Sequence, residues 1–104
     1  MNTLIINTFS NKEIIVGLKI DQKKYLSKKK IGLQKAQAVL PMIEKILQQN
    51  SISLKDINQI RVNTGPGSFT GLRVGISIAN TLGFFLRIPV NGKKIGKLAQ
   101  PQYK

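Results

Sequence analysis

The sequence predicts an α/β fold: a mixed five-stranded sheet in β-β-β-α-β-α-β order with helices on its faces. Three observations predict it. The first thirty residues hold three short apolar or alternating runs separated by turn residues. Two later stretches, 35–49 and 71–86, carry apolar residues at helical spacing. Between them, a short apolar run at 60–63 meets the loop Gly65, Pro66, Gly67. Hairpin connections make the first three strands antiparallel. The two helical crossovers then add parallel strands with right-handed connections.

Residues 3–7 are apolar on both faces, with Leu4 and Ile6 on one and Ile5 on the other, as in a central strand covered on both sides. Ser10, Asn11 and Lys12 turn the chain. From Ile14 to Ile20 the pattern has period two. After a turn at Asp21 and Gln22, residues 24–28 form a lysine-rich strand. Lysines discourage pairing with other sheets, which places this strand at an edge.

The first helix, 35–49, presents Ala36, Val39, Leu40, Ile43, Ile46 and Leu47 as a sheet-facing stripe. Pro41 removes the hydrogen bond to the Gln37 carbonyl and is expected to bend it. Asn50 is the expected left-handed cap. Ser53 to Ile57 reads as one capped turn before the strand at 60–63. Ser68 or Thr70 can cap the second helix. Gly71, Gly75, Ala79 and Gly83 recur along it at every fourth position, a seam along which another backbone, such as the first helix or a partner's helix, can come close. Its other positions are mostly apolar, which calls for burial on more than one side. A short fifth strand is expected at 88–91, where Pro89 is tolerable near the start. Residues 1–92 then form one domain, and 93–104 a basic, flexible tail.

Composition narrows the chemistry. The chain has no cysteine and no histidine, so disulfides, thiol nucleophiles and zinc–thiolate sites are excluded. No apolar run reaches the length that spans a bilayer, and the start lacks the basic region of a signal peptide. A cytoplasmic location is the default expectation. Seventeen Lys and Arg stand against four acids, a formal charge of +13. Such a charge attracts nucleic acid, but a general Lys, Ile and Asn bias produces it equally. No aromatic platform is interleaved with the lysines, as a single-strand binder would want.

The loop Gly65-x-Gly67-x-x-x-Gly71 lacks the Gly-Lys-Ser/Thr of a Walker A loop. It is one residue off the dinucleotide fingerprint, and the acid needed some 20 residues on is absent. The same glycines also serve a tight strand-to-helix turn. The acids Glu13, Asp21, Glu44 and Asp56 fall in separate elements, with no clustering of the kind that holds two metal ions. No base is evident for Ser68 or Thr70. Arg73 can hold an anion near the loop or support the loop's own structure. No catalytic residue and no metal ligand is therefore assigned.

The stretch 65–75, GPGSFTGLRVG, followed by a helix and then Ile-Pro-Val, resembles the bacterial tRNA threonylcarbamoyladenosine biosynthesis protein family TsaB, also called YeaZ. The stretch 38–47, AVLPMIEKIL, is similar to that family's first helix. The likeness runs in order to about Gly92, and corresponds to the family's N-terminal lobe. It implies one lobe of an actin-like, ribonuclease H-like fold and a non-catalytic scaffold. Such a scaffold pairs through its two long helices with a paralogous TsaD subunit, which transfers threonylcarbamoyl to adenosine 37 of tRNA. A TsaE ATPase assists, and ATP and metal belong to that complex, not to this chain. A second copy of the chain is the other candidate partner. Relatives read Ile-Asp-Thr-Ser where this chain has Ile6, Asn7, Thr8 and Phe9.

The candidate residues are therefore the loop Gly65, Pro66, Gly67, Ser68, Phe69, Thr70, Gly71 and Arg73, as an anion or partner contact. The second helix adds Val74, Ile78, Leu82 and Phe85, which share a face by i, i+4 and i+3 spacing, as a partner interface. The alternatives are a basic nucleic-acid-binding domain and a degenerate nucleotide-binding domain using the glycine loop.

Overall fold

The structure is a computed structural model. It describes residues 1–10, 12–30, 35–66 and 69–102, without the side chains of Lys35, Phe69 and Thr70. The elements are β1 (Asn2–Asn7), β2 (Glu13–Ile20), β3 (Lys23–Lys30), α1 (Lys35–Gln49), a 3-10 turn (Leu54–Asp56), β4 (Gln59–Val62) and α2 (Phe69–Leu86). The sheet order is β3-β2-β1-β4, with β4 parallel to β1 and the other pairs antiparallel. The lysine-rich β3 is indeed an edge strand, and α1 runs unbroken through Pro41.

The sheet has four strands, not five. Val90 makes a single parallel bridge to Ile60. The Ile60 N–H donates to the Pro89 carbonyl (3.0 Å), and the Asn91 N–H to the Ile60 carbonyl (2.8 Å). Asn91 then adopts φ +54°, which turns the chain out of the ladder. Its side chain continues the pairing instead: Oδ1 accepts from the Val62 N–H (2.8 Å) and Nδ2 donates to the Val62 carbonyl (3.0 Å). A side-chain amide thus stands in for the rest of the strand.

Both helices cover the same face of the sheet, contrary to the expected cover on both. Strand register puts Leu4 beside Leu18 and Ile60, and Ile6 beside Val16 and Val62. These residues form one buried cluster with Val39, Ile43, Ile46, Leu72, Ile76 and Ala79 from the two helices. Ile5 and Ile15, which point the other way, lie outside that cluster and are half-buried. The stripe on α1 is also shifted: Met42 is in the core, whereas Leu40 is 53% exposed and Ala36 is exposed.

The small-residue seam of α2 faces the sheet, not α1. Gly71, Gly75, Ala79 and Gly83 are all buried. A Cβ on Gly75 would meet Thr8 Oγ1 at 2.7 Å and Ile6 Cγ2 at 3.2 Å, and one on Gly83 would meet Val90 Cγ2 at 2.5 Å. The fully buried Thr8 hydroxyl donates to the Gly71 carbonyl (2.6 Å) and accepts from the Gly75 N–H (3.0 Å). It therefore bridges the two groups that an α-helix would pair with each other.

The left-handed residue after α1 is Ser51 (φ +57°), one beyond the expected Asn50. The Ile52 N–H reaches the Leu47 carbonyl and the Ser51 N–H the Gln48 carbonyl, both at 3.1 Å, as in a Schellman ending. Asn50 Nδ2 instead donates to the Ile46 carbonyl (2.8 Å). Residues 93–102, within the segment expected to be a tail, run back along α2. Ala99 is buried and pairs through its N–H and C=O with the Asn80 side chain (2.8 and 3.1 Å), and the Gln102 N–H donates to the Thr64 carbonyl (2.7 Å). Among the described residues no helix is long and apolar enough to cross a membrane.

The contact between Thr8 and α2 can be tested by substitution. Thr8→Ala and Gly75→Ala should each cost about 1–2 kcal/mol, measured by urea unfolding. The double variant should cost less than the sum, because Thr8→Ala removes Oγ1 and Cγ2, two of the three atoms nearest the new Cβ.

Acid should also weaken the fold. Asp56 accepts from the Ser53 N–H (2.9 Å) and Oγ (3.0 Å), and the backbone bond first holds its carboxyl below the usual carboxylate range. The N-terminal ammonium does the same for Asp21, by a 2.8 Å hydrogen bond and its charge. Depressed folded values mean stability that is present above the unfolded value of about 3.9 and lost as pH falls through the folded one. Thermal unfolding between pH about 5 and 2 should show this acid sensitivity. Asp56→Asn should flatten part of it.

Candidate functional site

The chemistry-bearing residues singled out from the sequence fall in three places. The first is the C-terminal end of the parallel pair β1 and β4, where ligands of open α/β sheets commonly bind. A shallow hollow of about 480 Å³ there is lined by Ile5, Asn7, Arg61, Asn63 and Asn91, among others. Its polar groups are mostly committed to backbone. Asn7 Oδ1 accepts from the Phe9 N–H (3.0 Å) and from Asn63 Nδ2 (3.2 Å). Asn63 Oδ1 accepts from the Gly65 N–H (2.9 Å). This chain of amides fastens the start of the glycine loop to β1. Gly65 sits at φ +100°, which an L side chain rarely adopts, so glycine is required there.

Gly71 is buried and offers its carbonyl to Thr8, while Arg73 is exposed on α2. Pro66 is exposed. Gly67 and Ser68 lie outside the described residues. Phe69 and Thr70 form the first positions of α2. No group of three acidic, histidine or cysteine residues that could hold a metal ion occurs among the described residues. The amides of Asn7, Asn63 and Asn91 are neutral, and the oxygen of each already accepts a hydrogen bond from a backbone N–H.

The second place is a groove of about 390 Å³ between α1, the 3-10 turn and α2. It is lined by Leu40, Ile43, Leu47, Ile52, Leu54 and Leu82, with Glu44 at its side. Of the residues expected at an interface, Val74, Ile78 and Leu82 are half-buried against the core beneath it, and Leu82 lines the groove. Leu40 enters it too, although its spacing alone read as core.

Phe85 lies elsewhere, in the third place. With Phe84, Arg87, Ile95 and Gly96 it lines a separate hollow at the end of α2. Phe84 and Phe85 are 70% and 75% exposed and meet edge to face, 5.8 Å between ring centres.

The model of one family, described as TsaD: tRNA N6-adenosine threonylcarbamoyltransferase, matches residues 21–92. The chain is 43% identical over 67 residues to the TsaB protein of Buchnera aphidicola subsp. Schizaphis graminum, 64% of this chain and 32% of that protein. It is 46% identical over 56 residues to TsaB of Escherichia coli, 54% and 24% of the two chains. A tRNA N6-adenosine threonylcarbamoyltransferase of Nitrosospira multiformis is 43% identical over 54 residues, 52% of this chain and 16% of that one. Among solved structures, YeaZ from Pseudomonas aeruginosa superposes with a TM-score of 0.82 at 28% identity, over 89% of this chain and 43% of that one. The chain thus spans about a third or less of the curated relatives' length.

Removing the Asn63 side chain frees a loop N–H and one Asn7 contact, so Asn63→Ala should cost about 1–2 kcal/mol in chemical denaturation. Titration calorimetry with ATP should give no affinity tighter than about millimolar, roughly −4 kcal/mol. Micromolar binding would overturn the assignment of these amides to loop support.

Proposed function

The chain belongs to the TsaB/YeaZ family, and from that premise we propose that it serves tRNA threonylcarbamoyladenosine biosynthesis as a non-catalytic subunit. On this reading it docks on a TsaD-like protein through the face made by α1 and α2. The observation that carries the reading is the groove between the two helices. Leu40 is half in water and Leu82 half-buried, and both border an apolar trough. Covering a large apolar side chain contributes roughly 1.5–3 kcal/mol, so a few such contacts sustain association. The four acids support the non-catalytic part: Glu13 opens β2, Asp21 turns the hairpin, Glu44 lies on α1 and Asp56 ends the 3-10 turn. A TsaE-like ATPase, ATP and metal belong on this reading to the assembled complex.

Co-purification with a TsaD-like subunit tests the proposal. Leu40→Asp should weaken the association at least about tenfold, 1.4 kcal/mol or more, because a charge would be buried without a partner. Its circular dichroism should match the parent, since Leu40 is exposed in the free chain. An association that survives Leu40→Asp would sink the α1–α2 face. One seen between copies of the chain and not with the TsaD-like subunit would replace the heterodimer by a homodimer.

A further inference from the structure

We propose that the outward face of the β2–β3 hairpin is a docking surface for the phosphate backbone of RNA. The choice of RNA rests on the proposed role in tRNA modification; the choice of a polyanion rests on charge placement alone. Strand register sets Lys19 beside Lys24, Ile15 beside Lys28 and Gly17 beside Leu26, all on the face turned away from the helices. Lys24 and Lys28 lie four residues apart on one side of β3, roughly 13 Å along the strand. Lys19 is about 5 Å across from Lys24.

Two of the four acids are near this patch, and each has a cationic neighbour. Glu13 shares the face at its far end, where Lys30 stands opposite it; Asp21, in the turn between β2 and β3, is paired with the N-terminal ammonium (2.8 Å); Glu44 and Asp56 are in other elements. Lys23 and Lys29, on the other side of the same strand, extend the positive potential around the sheet edge. Phosphate neutralisation by such cations is the main source of nucleic-acid affinity.

Edge protection alone does not account for the pattern. Lysines on β3 do guard an open edge, but Lys19 belongs to β2, which is paired on both sides. An amphipathic acidic helix is a poorer occupant. Among Lys19, Lys24, Lys28, Ile15, Gly17 and Leu26, the exposed apolar side chain is Leu26, against three exposed lysines. Tyr25 alternates to the helix side, so bases find no ring to stack on here, and binding is to the backbone irrespective of sequence.

Fluorescence anisotropy of the full chain with a tRNA transcript, between about 50 and 200 mM salt, tests this. The parent should bind with affinity that falls steeply with salt. The triple variant Lys19→Gln, Lys24→Gln, Lys28→Gln should weaken binding at least about tenfold at low salt, and flatten the log–log slope by about two to three. A control of equal charge, Lys45→Gln, Lys55→Gln, Lys97→Gln, should stay within about twofold of the parent. Equal loss in both triple variants would overturn the proposal. So would tighter binding to duplex DNA of matched charge, or a hairpin effect on anionic phosphatidylserine vesicles without one on tRNA. Intact tRNA binding with new self-association would reduce the lysines to edge guards. Should the triple variant lose its circular dichroism signal, Lys24→Gln alone decides by flattening the slope by about one or leaving it unchanged. A chain that binds tRNA this way and ignores a TsaD-like subunit refutes the proposed function and not this surface.

Discussion

The buried hydroxyl of Thr8 fixes how α2 meets the sheet. Its oxygen donates to the Gly71 carbonyl and accepts from the Gly75 N–H, so it joins two backbone groups of the first turns of α2. That arrangement needs the helix backbone within hydrogen-bonding distance of the end of β1. Glycine at 75 makes the approach feasible, because any Cβ there would sit 2.7 Å from the hydroxyl. An unsatisfied buried hydroxyl costs about 1–3 kcal/mol, so the two features depend on each other. Gly83 repeats the close approach against Val90, about two turns further along the helix.

From this contact the two outer surfaces follow. With α2 pressed onto β1 and β4, and α1 onto β2, a single apolar layer forms on one side of the sheet. The helices do not close completely over each other. Leu82 and Leu40 border the groove that remains, and the far side of the sheet keeps its lysines in water. The first surface is apolar and suits a protein partner. The second is cationic and suits a polyanion. They lie on opposite sides of the chain's sheet, so one need not exclude the other.

Much of this was legible in the sequence. Period two in β2, the lysines of β3, the apolar spacing of α1 and the strand-glycine-helix passage into α2 each locate an element, because local pattern decides them. What local pattern cannot supply is the identity of the neighbour. A small-residue seam announces a close approach, not to what; here it is Thr8 and Val90, not another helix. Leu40 and Met42 both fit an apolar stripe, and tertiary geometry buries Met42 and exposes Leu40. The fifth strand shrinks to Val90 because Asn91 turns left-handed and hands the pairing to its side chain. Ala99 clasped by Asn80 is likewise a side-chain-to-backbone pairing across nineteen residues, with no sequence signal. Of the candidate site, Asn7 was legible as a neutral replacement at the end of β1. Its service as acceptor for Phe9 and Asn63 was not. The interface residues divide for the same reason: i, i+4 spacing groups Phe85 with Leu82, whereas the chain after α2 folds back and gives Phe85 different company in Ile95.

The α1–α2 face as the partner surface is the central claim, and hydrogen–deuterium exchange of the chain with and without a TsaD-like subunit addresses it most directly. Exchange should slow in α1 from Leu40 onward, in the 3-10 turn and in the middle of α2, with β2 and β3 unchanged. Protection confined to β2 and β3, or to the hollow at Phe84 and Phe85, would contradict it.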